Sequence, residues 1–165
     1  MNFFNTNCTE TPRTDSEFGI CDDQNNAKAY TDSTNKEKWI VIVKNEANQS
    51  IVFTPIDNCI IVLKPGSSDK ESTCDGMLTF RDSLFLVELK VQRTGEWITR
   101  AIGQLENTVQ ILLKYHYADL QNIKYKKVYA CNRKHPRFTV IDNERNKRFF
   151  QKYGFRIDVQ AEIVV

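Results

Sequence analysis

The chain has 165 residues and a mass of 19.2 kDa, a length that fits one domain able to bury a substantial core. Hydrophobic residues make up 41% of it, charged residues 27%, and the formal net charge is +2, which is ordinary for a soluble globular protein. No apolar run approaches the ~20 residues that cross a bilayer, and the start of the chain lacks the features of a signal peptide, so we predict a cytoplasmic protein with no membrane partner.

The N-terminal segment, residues 1–36, carries little structural signal. It is poor in large aliphatic residues and rich in Asn, Thr and Asp. We interpret it as an N-terminal arm or cover, either loosely held or laid over the sheet as a loop and a short helix. Residues 37–165 are predicted to form a single α/β domain.

Three runs of branched residues follow this segment and predict β-strands. They lie at residues 39–43, 50–53 and 59–63. Asp57 falls between the last two runs and is interpreted as part of a turn.

Five cysteines are spread along the chain, and they are odd in number and form no Cys-x-x-Cys. Neither a disulfide framework nor a zinc knuckle is therefore indicated. Cys74 is interpreted as a small packing residue rather than a nucleophile, because both histidines are distant from it in sequence.

Charged residues at the end of an apolar strand form the most informative pattern. Residues 84–87 are an apolar run that ends in Glu88, Leu89 and Lys90, and Asp75 begins a short extended segment upstream. If Arg81 and Asp82 form a two-residue turn, Asp75 lies directly opposite Glu88 on the neighbouring strand, with Cβ atoms roughly 5 Å apart.

Two carboxylates in this position repel each other, and a divalent cation relieves the repulsion. Mg²⁺ and Mn²⁺ prefer oxygen ligands, so Asp75, Glu88 and the backbone carbonyl of Leu89 are the predicted metal ligands. Lys90 would then lie beside the attacking water or a phosphate oxygen. This arrangement suits phosphodiester hydrolysis.

Two other registers are compatible with the same residues. A turn at Asp82 and Ser83 would set Asp75 opposite Lys90 and make an ordinary cross-strand ion pair. A three-residue loop would pair Asp75 with Leu89 and turn it away from Glu88. The sequence leaves the choice open.

The elements after this hairpin predict an α/β fold with a central mixed β-sheet flanked by helices. Residues 97–116 have the apolar spacing of a helix, with Gln104 beside the apolar stripe. Residues 126–131 read as a strand, 143–153 as a second helix and 155–165 as a closing strand. Strand, helix and strand form a right-handed crossover.

Positive charge is concentrated in the C-terminal third. Between Lys124 and Arg156 there are 11 basic residues against Asp142 and Glu144. Such a segment is typical of phosphate-backbone binding, although a solvated surface is the alternative. The candidate nucleic-acid-binding residues are Arg133, Lys134, Arg137, Arg145, Lys147 and Arg148.

Asp75-Gly76, then Glu88-Leu89-Lys90 on the next strand and then a helix with Gln104, resembles the PD-(D/E)xK nuclease superfamily. Its members include type II restriction enzymes, archaeal Holliday-junction resolvases and RecB-like nucleases. The resemblance implies a restriction endonuclease-like core in which Asp75 and Glu88 ligate Mg²⁺. Lys90 would orient or deprotonate the attacking water, and Gln104 would hold the water or the DNA.

The chain also departs from the family pattern. Cys74 stands where proline is usual, and Thr108 replaces the tyrosine that RecB-like members carry four residues after the glutamine. Many members of the family carry an acidic residue on an N-terminal helix, and it has no clear counterpart in this chain. Glu17, Asp22, Asp23 and Asp57 are the candidates for a third acid, with no preference among them. The resemblance further implies a homodimer or a component of a larger complex.

The sequence lacks the motifs of other hydrolytic and nucleotide-binding proteins. It has no Gly-rich phosphate loop, no His-Glu-x-x-His helix and no Gly-x-Ser-x-Gly elbow. We therefore predict a Mg²⁺-dependent nuclease that hydrolyses DNA phosphodiester bonds. The rival interpretation is a binding or protein-interaction module, accessory or immunity-like, that keeps the fold but does not cleave.

Overall fold

A computed structural model describes residues 1–165 as an α/β fold of two mixed β-sheets and three α-helices. None of these helices is both long and apolar enough to cross a membrane. The strands are β1 (Glu17–Cys21), β2 (Tyr30–Asp32), β3 (Val41–Lys44), β4 (Val52–Pro55), β5 (Gly76–Phe80), β6 (Ser83–Lys90), β7 (Tyr125–Asn132), β8 (Arg156–Val159) and β9 (Glu162–Val164). The helices are α1 (Trp97–Tyr115), α2 (Tyr117–Gln121) and α3 (Asn143–Tyr153).

The large sheet has five strands in the order β4-β5-β6-β7-β8. Strands β4, β5 and β6 form an antiparallel meander, and β7 and β8 then run parallel to β6. Helices α1 and α2 connect β6 to β7, and α3 connects β7 to β8. The small sheet has the order β2-β1-β3-β9, in which only β9 is parallel to its neighbour.

Strand β6 is buried on both faces, which explains why its sequence is almost continuously apolar. Leu84 and Leu86 face the helices and pack in one core with residues of α1 such as Leu105. Phe85 and Val87 face the small sheet and pack in a second core. The central sheet is therefore covered by helices on one face and by a β-sheet on the other. The predicted flanking by helices holds for one face only.

The two long helices and the central strands were predicted close to their observed bounds. Helix α1 covers the predicted segment 97–116 apart from its last residue, and α3 matches 143–153. Strand β7 extends the predicted 126–131 by one residue at each end. The predicted closing strand 155–165 is divided between β8 in the large sheet and β9 in the small sheet.

The predicted strand at 59–63 is wrong. The chain turns there, with the Cys59 amide donating to the Ile56 carbonyl at 3.2 Å, and only an isolated bridge joins Leu63 to Lys70. The N-terminal segment lies along the free edge of β4, where the Glu10 amide donates to the Phe53 carbonyl at 2.9 Å.

The N-terminal 36 residues contribute two strands that the sequence did not predict, β1 and β2. Phe18 of β1 is fully buried between the two sheets. Phe3 is fully buried in the helix-side core, where its ring meets the His116 ring edge-on at 5.4 Å. The segment is thus packed into both cores of the protein.

The structure also corrects the interpretation of the cysteines. Cys8 and Cys59 form a disulfide bond that joins the N-terminal segment to the loop after β4. The other three cysteines, Cys21, Cys74 and Cys131, are free and buried. The bond spans 51 residues, and sequence spacing alone does not reveal such a pairing. Because disulfides persist mainly in oxidising compartments, the cytoplasmic location stays a prediction.

We expect the Cys8–Cys59 bond to contribute about 2–4 kcal/mol to the free energy of unfolding, because it constrains a long loop of the unfolded chain. Cys8→Ser should lower the free energy of unfolding by this amount in urea denaturation. The wild type in dithiothreitol serves as the control and should fall to the level of the variant, whose own stability should not respond to the reductant. An unchanged urea midpoint after reduction of the wild type would contradict this expectation.

Candidate active site

The register of the β5–β6 hairpin brings the two predicted acids together. Phe80 pairs with Ser83 across the two-residue turn, and Gly76 pairs with Val87. One step further along the ladder sets Asp75 opposite Glu88. This is the first of the three registers that the sequence allowed. An Asp75 oxygen accepts a hydrogen bond from the Leu89 amide at 2.6 Å, which fixes the carboxylate at the end of β6.

Gly76 is required next to Asp75 because the ring of Phe53 occupies the space beside it. A Cβ at this position would lie 2.4 Å from the Phe53 ring, and that ring belongs to the core between the sheets. The close approach of β4 to β5 thus holds the start of β5 in place. It sets the backbone from which the Asp75 side chain extends.

Glu88 is a buried carboxyl group with one unpartnered oxygen. Its side chain is 1% exposed, because β6 is covered on both faces. Oε1 lies 2.6 Å from the Lys90 ammonium, whereas Oε2 has no hydrogen-bond partner in the protein. A buried carboxylate oxygen without a partner is costly, and either protonation of Glu88 or a bound cation would reduce this cost.

Both acids have raised pKa values. Burial raises the pKa of Asp75 to about 7, although the Leu89 amide opposes the shift by donating to the charged form. Burial, followed by the negative charge of Asp75, raises the pKa of Glu88 well above its usual range, and the Lys90 charge opposes this shift. A cation between the two acids would favour their charged forms.

Lys90 is held in place by two side chains. In addition to Glu88, its ammonium donates to the Gln104 side-chain oxygen at 2.9 Å. The Gln104 amide donates in turn to the Thr73 carbonyl at 3.3 Å, so this residue joins α1 to the segment that leads into β5. Gln104 therefore positions Lys90 at the site.

Thr108 is a positioning residue that the sequence analysis did not identify. Its hydroxyl accepts a hydrogen bond from the Cys74 amide at 2.8 Å and donates to the Gln104 carbonyl at 2.9 Å. Thr108 is fully buried and one helical turn beyond Gln104. The only sequence signal was this spacing of four residues on α1, which places both side chains on one face.

The donor set fits a hard divalent cation with few protein ligands. No group of three or more His, Cys, Asp or Glu side chains is arranged to hold a metal ion. Asp75 and Glu88 would supply the side-chain ligands, and the Leu89 backbone lies beside them. Mg²⁺ binds in this way through one or two carboxylates, with waters completing its coordination.

The candidate third acids do not complete a ligand cluster. Glu17 pairs with Lys36 and Lys44, and Asp23 accepts from the Tyr30 hydroxyl at 3.0 Å. The negative charges of Asp22 and Asp57 raise the pKa of Asp75, so both lie within electrostatic reach of the site.

The predicted nucleic-acid-binding residues fall into two sets. Arg133, Lys134 and Arg137 lie on the exposed loop after β7, and the Arg133 amide donates to the Lys90 carbonyl at 2.9 Å. This loop therefore begins at the site. The other set lies on α3 and forms no hydrogen bond or ion pair with the site; it comprises Arg145, Lys147 and Arg148.

We expect the free energy of unfolding of the metal-free protein to depend on pH because the pKa of Asp75 is raised in the folded state. Since the folded-state pKa is about 7 and the ordinary value is 3.8, the stabilising contribution of the protonated group is complete below about pH 4. It is lost as the pH rises through about 7. Asp75→Asn keeps an acceptor for the Leu89 amide and removes this titration.

The measurement is urea denaturation in EDTA across this pH range. The free energy of unfolding of Asp75→Asn should increase relative to the wild type between about pH 4 and 7. As a control, Mg²⁺ should stabilise the wild type more at pH 7 than at pH 4, and should not stabilise the variant. A difference between the two proteins that does not change with pH would refute the expectation.

Comparisons with known proteins do not add to this description. The chain matches no protein-family model, and no curated protein or solved structure is significantly similar to it. The assignment of a function therefore depends on the geometry and chemistry of the site.

Proposed function

We propose that the protein is a divalent-metal-dependent nuclease that hydrolyses DNA phosphodiester bonds at the Asp75–Glu88 site. The observation that carries the proposal is the unpartnered, buried Oε2 of Glu88 beside a second carboxylate on the neighbouring strand. Buried charges persist where they are paired or bind a metal ion. Only one Glu88 oxygen is paired within the protein, by Lys90.

The side chains have distinct roles in this proposal. Asp75 and Glu88, with the Leu89 carbonyl, would hold Mg²⁺ or Mn²⁺. The bound ion would lower the pKa of the attacking water and neutralise charge that develops on the phosphate. Lys90 would orient the water by donating from its ammonium, which is held at the site by Gln104. Gln104 is thus a positioning residue for Lys90.

The connectivity around the site supports a restriction endonuclease-like core as part of the same proposal. The acids lie on an antiparallel hairpin, α1 follows the strand that carries Glu88 and Lys90, and β7 then pairs parallel to that strand. The small sheet on the opposite face is additional to the core that the resemblance implies. Assembly into a homodimer or a larger complex stays a prediction of the resemblance alone.

A nucleic acid, DNA by the resemblance, is the proposed substrate because exposed cations lie at the end of β7 next to the acids. Arg133 and Lys134 are exposed there, and neither is paired with a carboxylate. Positively charged side chains without an ion-pair partner bind the phosphates of a nucleic acid, and this binding releases counterions.

A binding or protein-interaction module is the second candidate, and one observation favours it. Lys90 lies 2.6 Å from Glu88, so a large part of the buried charge is already neutralised within the protein. In this case the three charged residues would serve the fold, and no metal ion would be required.

We expect Lys90→Met to lower the rate of DNA cleavage in Mg²⁺ or Mn²⁺ by roughly 10²–10⁴-fold, the range of general acid–base catalysis. Glu88→Gln should abolish both cleavage and the heat of Mn²⁺ binding in calorimetry, because it removes a buried ligand charge. The readouts are release of labelled product under single-turnover conditions and titration calorimetry.

Asp158→Asn is the matched control for these variants. Asp158 is a partly buried acid paired with Lys127 at 3.0 Å in the same sheet but outside the site. This variant should cleave DNA and bind Mn²⁺ like the wild type. Wild-type protein that cleaves no DNA and binds no divalent ion would support the interaction module instead.

A further inference from the structure

Two loops leave the large sheet beside the site, and a buried amide joins them. Residues 91–96 follow β6 and residues 133–138 follow β7. Asn132 is fully buried, and its side chain donates to the Gln92 carbonyl at 2.8 Å and accepts from the Gln92 amide at 3.2 Å. It also accepts from the Lys134 amide at 3.0 Å. One fully satisfied side chain therefore sets the position of both loops.

His135 provides a second connection between the same loops. Its ring nitrogen lies 2.7 Å from the Arg93 carbonyl, within hydrogen-bond distance. Its ring stacks on Trp97, the first residue of α1, with centroids 6.0 Å apart and planes inclined by 10°. The two loops and the start of α1 are thus joined into one surface at the edge of the site, which we name the ledge.

This ledge presents free positive charge. Arg93, Arg133 and Lys134 are exposed, and we name them the basic rim. No carboxylate lies within 4.0 Å of their charged groups. The only acid in the two loops is Glu96. Arg93 lies outside the basic C-terminal third and was not among the predicted nucleic-acid-binding residues.

The opposite side of the site has negative charge. The Asp57 amide donates to the Cys74 carbonyl at 3.2 Å, which places Asp57 beside the strand that carries Asp75. Asp22 lies just beyond the end of β1. Their carboxylates accept hydrogen bonds from uncharged groups of Gln24 and Asn58, and neither forms an ion pair. The loop after β4 therefore carries a negative charge that repels a phosphate backbone, and Asp22 adds a second one within electrostatic reach of Asp75.

We infer that a nucleic-acid strand at this site is held on one side only, by its phosphates on the basic rim. This rests on the proposed function for the identity of the ligand, but it concerns binding and not cleavage. Phosphates that flank the site towards β7 meet exposed cations on the two loops, whereas those towards β4 meet Asp57, and Asp22 lies within electrostatic reach of the site. Charge changes on the two sides should therefore have opposite effects on affinity.

The experiment is fluorescence anisotropy of a labelled DNA duplex and of its single strand at several salt concentrations in EDTA, where no hydrolysis occurs. Arg93→Asn, Arg133→Asn and Lys134→Asn should each weaken binding several-fold and lower the slope of log affinity against log salt by about one. Asp57→Asn and Asp22→Asn should each strengthen binding several-fold.

Arg81→Asn is the matched control because Arg81 is an exposed arginine without an ion pair at the opposite end of the hairpin. Asparagine tolerates its positive φ of 48°. This variant should bind DNA like the wild type. Thermal unfolding of each variant separates a loss of contact from a loss of fold.

Three results would overturn the inference. The first is that the variants of the basic rim bind DNA as tightly as Arg81→Asn. The second is that Asp57→Asn binds DNA more weakly than the wild type. The third is that the DNA affinity of the wild type does not depend on salt, a result that would indicate a protein partner instead. Binding that follows the expected pattern in a protein that cleaves nothing would uphold the inference and refute the proposed function.

Discussion

The burial of the Glu88 carboxylate is the constraint on which the rest of the site depends. A charge on a strand covered on both faces is stable only if other groups compensate for its lost hydration. The Lys90 ammonium pairs with one oxygen of Glu88, and it also donates a hydrogen bond to Gln104 of α1. The second oxygen has no partner in the protein, and it is the atom that, with Asp75, would hold a cation in our proposal. Burial raises the pKa values of both acids by disfavouring their charged forms, and in our proposal a bound cation would favour those charged forms.

The burial itself is produced by the layered fold. Helices α1 and α3 cover one face of the large sheet, and the small sheet covers the other. The small sheet depends on the N-terminal segment, which supplies two of its strands and also pairs with the free edge of β4. Residues far from Glu88 in sequence thus exclude water from its surroundings. The disulfide bond between Cys8 and Cys59 fastens this segment to the loop after β4.

Local patterns were sufficient where contacts between neighbours in sequence decide the structure. The two-residue turn at Arg81 and Asp82 determines the register of the hairpin, and the apolar spacing of α1 determines its buried face. The error at residues 59–63 has the opposite cause. That run has the composition of a strand, but it pairs with neither sheet, and residues from the N-terminal segment lie along the edge of β4. A strand needs a partner, and propensity does not show whether one is free.

The sequence by itself determined the hairpin and the long helices, because each depends on spacing within a few tens of residues. It also limited Asp75 to three registers, and the structure selected the one that sets Asp75 opposite Glu88. Only the tertiary structure decided that Glu88 retains an unpartnered oxygen, that Thr108 of α1 accepts from the Cys74 amide, and that Arg93 joins Arg133 on one ledge. These relations connect segments separated by long stretches of chain. Such contacts depend on which surfaces the packed layers bring together, and no local pattern encodes that choice.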